Sequence, residues 1–304
     1  MMVYSEHNVI APVAANNSNI VKKKSPKVSI GMPAYNGELS IRDALEALLN
    51  QTFTDFELII SDNASTDGTE LICQEYAAKD VRIQYIRQQI NLGAALNFKF
   101  VMDKAVGEYF MWAAADDQWS ADFIESNAAI LDRNPTCVAS TSPNCYAGEL
   151  KEISRHVTFA LEGNRALRIS AFLRYAWISH GIFYSLMSTK VIKGCDQVGQ
   201  SYAAMDWSVD IYLANQGVVH RSKEGWLILG RGGASHQGDI WRRSRNMPIE
   251  VIFPLYKFSQ YTLRLMKSLS ILEWLQVSLS LLKVNIQAMR SNFTMEVRQF
   301  LKGK

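Results

Sequence analysis

Short apolar runs alternate with segments of helical period through the first half of this chain. Val28–Met32 reads as a buried strand. Pro33 is expected to stop it, having no amide to give a ladder. Pro33-Ala34-Tyr35-Asn36-Gly37 then forms a loop, and Ser40 with Asp43 resembles a helix N-cap signature. Ile41, Ala44, Leu45, Leu48 and Leu49 follow helical spacing to about Asn50. The unit recurs. Phe56–Ile60 is a second strand, Ser61–Thr69 a turn and cap stretch, and a helix runs through Leu71, Ile72 and Tyr76. Arg82–Ile86 is a third strand; Asn91-Leu92-Gly93 leads into a helix carrying Leu96, Phe98, Phe100 and Val101. Glu108–Ala113 is a fourth strand, followed by a helix through Phe123, Ile124, Ile130 and Leu131 that ends near Asn134-Pro135, and Cys137–Thr141 makes a fifth.

Strand and helix in alternation with short loops predict parallel pairing, hence an α/β, doubly wound, mostly parallel sheet. Beyond residue 142 the pattern loosens. Asn144–Leu161 is read as holding a hairpin, Ala166–Tyr175 as helical and His180–Met187 as a strand. Trp207–Asn215 reads as a helix stopped by Gly217. Val218–His220 and Trp226–Leu229 are short strands, and residues 248–290 suit two amphipathic helices. The division expected is an N-terminal arm (1–25), a nucleotide-sugar-binding half (26–142), an acceptor-binding half (143–245) and C-terminal amphipathic helices (246–304). Those helices either pack on the body or offer an apolar face to a membrane surface or partner.

Composition narrows the classes. The chain has 304 residues, 48% hydrophobic, enough for one large or two modest domains. Net charge is +3 with no dense basic block, which argues against nucleic acid as a partner. Cys73, Cys137, Cys145 and Cys195 form no CxxC pair, so neither zinc nor a disulfide framework is signalled. No basic stretch leads into an apolar one at the start, and no apolar run reaches the roughly 18–20 residues of a membrane span. The expectation is a cytoplasmic protein, or one peripheral on the cytosolic face of a membrane.

The candidate chemistry sits at strand ends. Asp116 and Asp117 follow the fourth strand, at the carboxyl edge where open α/β sheets bind ligands. Two carboxylates there suit a hard divalent cation that also holds a diphosphate. No GxGxxG follows the first strand, which disfavours a dehydrogenase, and Pro33–Glu38 has no Lys or Arg, which disfavours a nucleotidyltransferase.

Four collinear pieces carry a resemblance: Val28–Asn36, Ser61–Thr69, Asn91-Leu92-Gly93 and Asp116-Asp117-Gln118-Trp119. Across about residues 26–142 they resemble the inverting family 2 glycosyltransferases of GT-A fold. The resemblance implies a metal-dependent transferase using a nucleoside-diphosphate sugar, UDP by family frequency, and a glycan or lipid-linked acceptor. It places Pro33, Ala34, Tyr35 and Asn36 along the nucleotide, Asp62 on base or ribose, and Asn91 near the nucleotide. It gives Asp116 as ligand to Mg²⁺ or Mn²⁺, with Asp117 beside it. Many members have Asp-x-Asp-Asp, and here the first carboxylate is Ala114. That loss keeps a non-catalytic sugar-nucleotide binding module in view.

The downstream acidic motif is matched by Ala204–Asp210. Asp206 is the candidate base, with capping of its helix as the competing role. Asp210 is read as solvated or paired. Arg231 would clamp phosphate oxygens, and His236 is a candidate for the metal or a phosphate. Trp119, Trp207 and Trp241 are read as core or rim residues. Arg242, Arg243 and Arg245 form a solvated basic patch, or a contact for a lipid phosphate.

Overall fold

The computed structural model describes residues 25–148, 159–177, 181–232 and 240–302. The first strand, β1 (Val28–Ala34), is followed by helix α1 (Ile41–Leu49), β2 (Phe56–Asp62), α2 (Thr69–Lys79), β3 (Ile83–Arg87), α3 (Ala94–Lys104) and β4 (Tyr109–Trp112). Then come β5 (Gln118–Trp119), α4 (Phe123–Arg133), β6 (Cys137–Thr141), β7 (Asn144–Tyr146) and α5 (Arg165–Tyr175). The second half adds β8 (Leu186–Ser188), α6 (Thr189–Ile192), α7 (Met205–Gln216), β9 (Val218–Arg221), β10 (Leu227–Leu229), α8 (Ile240–Arg243), α9 (Tyr256–Leu265) and α10 (Ile271–Lys302).

Seven strands form one sheet in the order β3-β2-β1-β4-β8-β6-β9. All neighbours pair in parallel except β8, which runs antiparallel between β4 and β6. The sheet therefore crosses residue 142 and joins both halves of the chain. Because β1, β2 and β4 are parallel and adjacent, their carboxyl ends open on the same edge. A second sheet, β5-β10-β7, ties the segment after Asp117 to the end of β10.

Close packing explains why these strands are buried on both faces. A Cβ on Gly31 would lie 2.7 Å from Val101 Cγ2, so glycine lets α3 sit directly on β1. Trp112 stacks on Phe183 at 4.5 Å between ring centres and meets the edge of Phe110 at 5.0 Å.

Four local expectations change. Pro33 does not end β1: it lies in register with Ser61, and the strand runs on to Ala34. Gly31 bonds toward β4 through Ala113 N, so Pro33, two residues on, also faces that side, where β4 has already ended. Its missing N–H therefore costs no ladder bond. Ser40 occupies the N-cap of α1, but its side chain caps no amide. Asn144–Tyr146 forms no hairpin among the described residues and pairs in parallel with β10, residues 149–158 lying outside them. The strand expected over His180–Met187 is confined to Leu186–Ser188, and His180 is outside the described residues.

Candidate functional site

Two loops at the carboxyl edge of the sheet are fastened together. The amides of Asn36, Gly37 and Glu38 donate to Ser65 Oγ (2.9 Å), Thr69 Oγ1 (2.8 Å) and Asp67 Oδ2 (3.1 Å). In return the amides of Thr66 and Gly68 donate to Asn36 Oδ1 (2.8 Å) and Glu38 Oε2 (2.6 Å). Asn36 reaches this position in a left-handed conformation (φ 50°), which asparagine tolerates better than most residues. Tyr35 stands out beside it, half exposed, while Ala34 is buried under the loop.

Asp62, expected on base or ribose, is engaged by the protein itself. Its side chain is 0% exposed. Oδ1 accepts from the Ser65 amide at 2.8 Å, and Oδ2 from Tyr85 Oη (2.9 Å) and Arg87 Nη1 (2.6 Å). The carboxylate is consumed in holding the loop to the end of β3. Asn63 instead bridges outward: its Nδ2 donates to Asn91 Oδ1 and its Oδ1 accepts from the Leu92 amide, at 2.9 and 2.8 Å. Asn91 Oδ1 also accepts from the Gly93 amide, so Asn91 ties this turn to the loop that follows β2.

Opposite these loops lie the paired aspartates. Asp116 is partly exposed, and its Oδ2 accepts from the Gly232 amide at 2.8 Å. Asp117 is 3% exposed; Oδ1 accepts from the Gly230 amide at 2.8 Å, and Oδ2 has no partner among the described residues. Burial, reinforced by the neighbouring Asp116 charge, pushes the Asp117 carboxyl up to about 8. The Arg231 guanidinium sits 5.8 Å from the Tyr146 ring centre, between the two glycines that hold the aspartates.

This donor set fits a hard cation. An orphaned buried carboxylate oxygen beside a more exposed carboxylate is an all-oxygen arrangement suited to Mg²⁺ or Mn²⁺. Among the described residues no three His, Cys, Asp or Glu side chains gather around one point, so such an ion would draw its other ligands from phosphate and water. His236 lies outside the described residues.

Asp206 sits in the first turn of α7. The cap position itself is Ala204, in a left-handed conformation (φ 64°). The Asp206 side chain reaches solvent, yet desolvation raises its carboxyl above the usual range, against the pull of the Trp207 amide and its own. A raised carboxylate within reach of solvent suits a general base.

Tyr184, which periodicity assigned only to a strand, links the two sides. Burial lifts its hydroxyl well above the ordinary tyrosine value, and the charges of Asp117, Asp116 and Asp206 lift it further. The charges of the aspartate pair and of the candidate base thus all act on the Tyr184 hydroxyl. Asp210 is not solvated: it is 2% exposed, its Oδ1 has no partner among the described residues, and burial plus the Asp206 charge raise its carboxyl well above the usual value.

The tryptophans belong to the core as expected. Trp119 and Trp241 are buried, and Trp207 meets Trp177 edge-on at 5.1 Å. The basic patch is not simply solvated, because Arg242 and Arg245 both pair with Glu296 of α10.

The family profile described as Glycosyl transferase family 2 matches residues 29–193, more than half of the chain. TuaG of Bacillus subtilis, a proposed teichuronic acid biosynthesis glycosyltransferase, is 37% identical over 106 residues, covering 35% of this chain and 42% of that protein. EpsE of the same organism, a proposed glycosyltransferase, is 34% identical over 110 residues, 36% of this chain and 40% of that one. The chain therefore spans about two fifths of the length of these curated relatives. Among solved structures, residues 1–349 of S. aureus TarS in complex with UDP-GlcNAc superpose with a TM-score of 0.66 at 19% identity, over 88% of this chain and 74% of that one. The mannosyltransferase PcManGT of Pyrobaculum calidifontis, in complex with GDP-Man and Mn²⁺, gives 0.53 at 15% identity over 91% and 81%. At these identities the likeness is one of fold, the GT-A arrangement of a mostly parallel sheet between helices.

Proposed function

Because the chain belongs to glycosyl transferase family 2, we propose that it moves a sugar from a nucleoside-diphosphate sugar, UDP-linked in the first instance, to a hydroxyl of a glycan or lipid-linked acceptor, inverting the anomeric carbon. One observation carries the reading. Asp117 keeps a buried carboxylate oxygen unpartnered among the described residues beside the more exposed Asp116, which supports a cation-and-diphosphate side, and the charges of both aspartates and of Asp206 act on Tyr184.

In the proposed reaction the acceptor oxygen forms the new bond to the anomeric carbon while the bond to the diphosphate oxygen breaks. Asp206 takes the acceptor proton, and its raised pKa brings its basicity closer to the working pH. Tyr35 and Asn36, with Pro33 and Ala34 behind them, line the nucleotide side, and Arg231 faces the phosphates. Asp116 and Asp117 would hold Mg²⁺ or Mn²⁺, which when bound neutralises charge on the departing diphosphate. The ligands named for the two fold neighbours, UDP-GlcNAc in TarS and GDP-Man with Mn²⁺ in PcManGT, support a nucleotide-sugar donor and a cation of this kind.

The test is a donor panel assayed for slow hydrolysis, with and without a chelator, beside Asp206→Asn. Asp206→Asn is expected to lower turnover by about 10²–10⁴ and leave nucleotide affinity intact. A second reading, a non-catalytic sugar-nucleotide binding module, is favoured by Ala114 standing where a carboxylate is common. Nucleotide-sugar binding with no turnover on any donor, in wild type and variant alike, would decide for it.

A further inference from the structure

Helix α10, 32 residues long, carries two apolar stripes. The first, Val277, Leu281, Val284 and Ala288, is buried against the body, largely on α5. The second, Leu275, Leu279, Leu282, Ile286, Phe293 and Val297, is exposed, Leu279 by 61% and Phe293 by 70%. At about 100° per residue the two stripes lie roughly 160° apart, on opposite sides of the helix. The exposed one runs for about 33 Å at 1.5 Å per residue. Ile249, Ile252 and Phe253 extend it sideways. Their segment is held beside α10 by Asn292, which donates to Val251 O at 2.7 Å and accepts from Arg245 at 2.8 Å.

Monomeric soluble proteins seldom leave so long an apolar face bare. The surrounding charge says what covers it. Lys283 and Arg290, both exposed, follow one flank of the exposed stripe, and Arg298, also exposed, lies further round the helix on the same side. Residues 246–304 hold eight Lys and Arg against three Glu, and of the acids Glu250 is buried and Glu296 is engaged by Arg242 and Arg245. The chain as a whole is only +3, so positive charge is concentrated on this end. A second copy of the same helix offers no matching acid. Set antiparallel, the Lys283–Arg290 flank meets itself; set parallel, it meets Ser278 and Asn285.

We propose that the exposed stripe of α10, with Ile249, Ile252 and Phe253, docks on an anionic lipid bilayer. The helix lies along the surface with Leu279, Leu282 and Ile286 in the acyl boundary and Lys283, Arg290 and Arg298 at the phosphates. Among the described residues no helix is long and apolar enough to cross a membrane, so the mode is lying on it. The proposal does not depend on the transferase reading.

The test is flotation of the whole protein with phosphatidylcholine vesicles, with and without phosphatidylglycerol, at low and high salt. Binding is expected only with phosphatidylglycerol, and salt should weaken it. Leu282→Glu with Ile286→Glu should lower the affinity at least about tenfold. Reversing Lys283, Arg290 and Arg298 to Glu should lower it roughly a hundredfold or more. Circular dichroism and Tm should stay near wild type for both variants, because all five side chains are exposed. No binding by the wild type, or equal binding by the Leu282→Glu, Ile286→Glu protein, overturns the proposal. So does a wild-type solution mass of twice the chain that halves in that variant, which would show a second copy on this face.

Discussion

Gly230 offers the sharpest test of how the aspartate pair is held. A Cβ at this position would lie 2.2 Å from both Asp116 Cγ and Oδ2, and 2.4 Å from the Asp116 carbonyl oxygen. Carbon atoms in contact settle at about 3.5–4.0 Å, so Gly230→Ala must open the gap by about 1.3 Å. Because the Asp116 main chain is one of the obstacles, a new side-chain rotamer alone cannot provide it. Overpacking of this kind costs about 1–3 kcal/mol, or roughly 2–6 °C in Tm at about 2 °C per kcal/mol for a chain of this size. The effect on the site is larger, since an ångström of misplacement can cost about 10²-fold in rate. Donor hydrolysis gives kcat/KM, titration calorimetry gives nucleotide affinity, and calorimetric scanning gives Tm. Gly37→Ala is the control, because its Cβ would meet Ala115 Cβ and Ile41 Cβ at ordinary distances of 3.5 and 3.8 Å. If Gly230→Ala kept wild-type kcat/KM and affinity, the end of β10 would not be what sets Asp116. The same conclusion would follow if activity fell only with the folded fraction.

Two further expectations concern buried carboxylates. Arg87→Ala removes the 2.6 Å partner of fully buried Asp62 and should cost about 3 kcal/mol in urea unfolding. That is the low end for a buried pair, because Arg87 is 35% exposed and Tyr85 and Ser65 still bond the carboxylate. A loss below about 0.5 kcal/mol would mean Asp62 is not held as described. Asp210 has its folded-state pKa raised, so it binds a proton more tightly folded than unfolded. Its stabilising proton is present below the ordinary carboxylate value of about 3.9 and is given up as pH climbs toward the raised one. Asp210→Asn should therefore match wild-type stability near pH 4 and exceed it increasingly toward pH 8. Parallel Tm-versus-pH curves for the two proteins would refute this.

Much of the sheet could be read from local pattern. Strands β1, β2 and β4 are mostly apolar runs, β3 and β6 are more mixed, all are separated by helical periods, and parallel pairing follows from that alternation. The small sheet β5-β10-β7 could not be, because its strands have two or three residues and pair across more than 80 positions of sequence. The internal partners of Asp62 were not legible for a related reason. Its neighbours in sequence are turn formers, and only the register of β2 on β3 brings Tyr85 and Arg87 to it. Asp206 and the Asp116–Asp117 pair were visible as motifs. Tyr184 was not, since nothing in Phe183-Tyr184-Ser185 signals that the charges of three carboxylates from distant elements act on it. In α10 two opposed stripes overlap in a Leu-rich run, so one-dimensional spacing shows an apolar helix without separating the face that packs from the face that does not.

The cross-links between the loop that follows β1 and the loop that follows β2 bear on redesign. Grafting either loop alone from a relative, to change nucleotide preference, would strand amides and acceptors matched to the original counterpart. The exchangeable part is the pair taken together with Tyr85 and Arg87, which anchor it from β3 through Asp62. Chimeras cut at those joints should preserve the scaffold where single-loop swaps lose it.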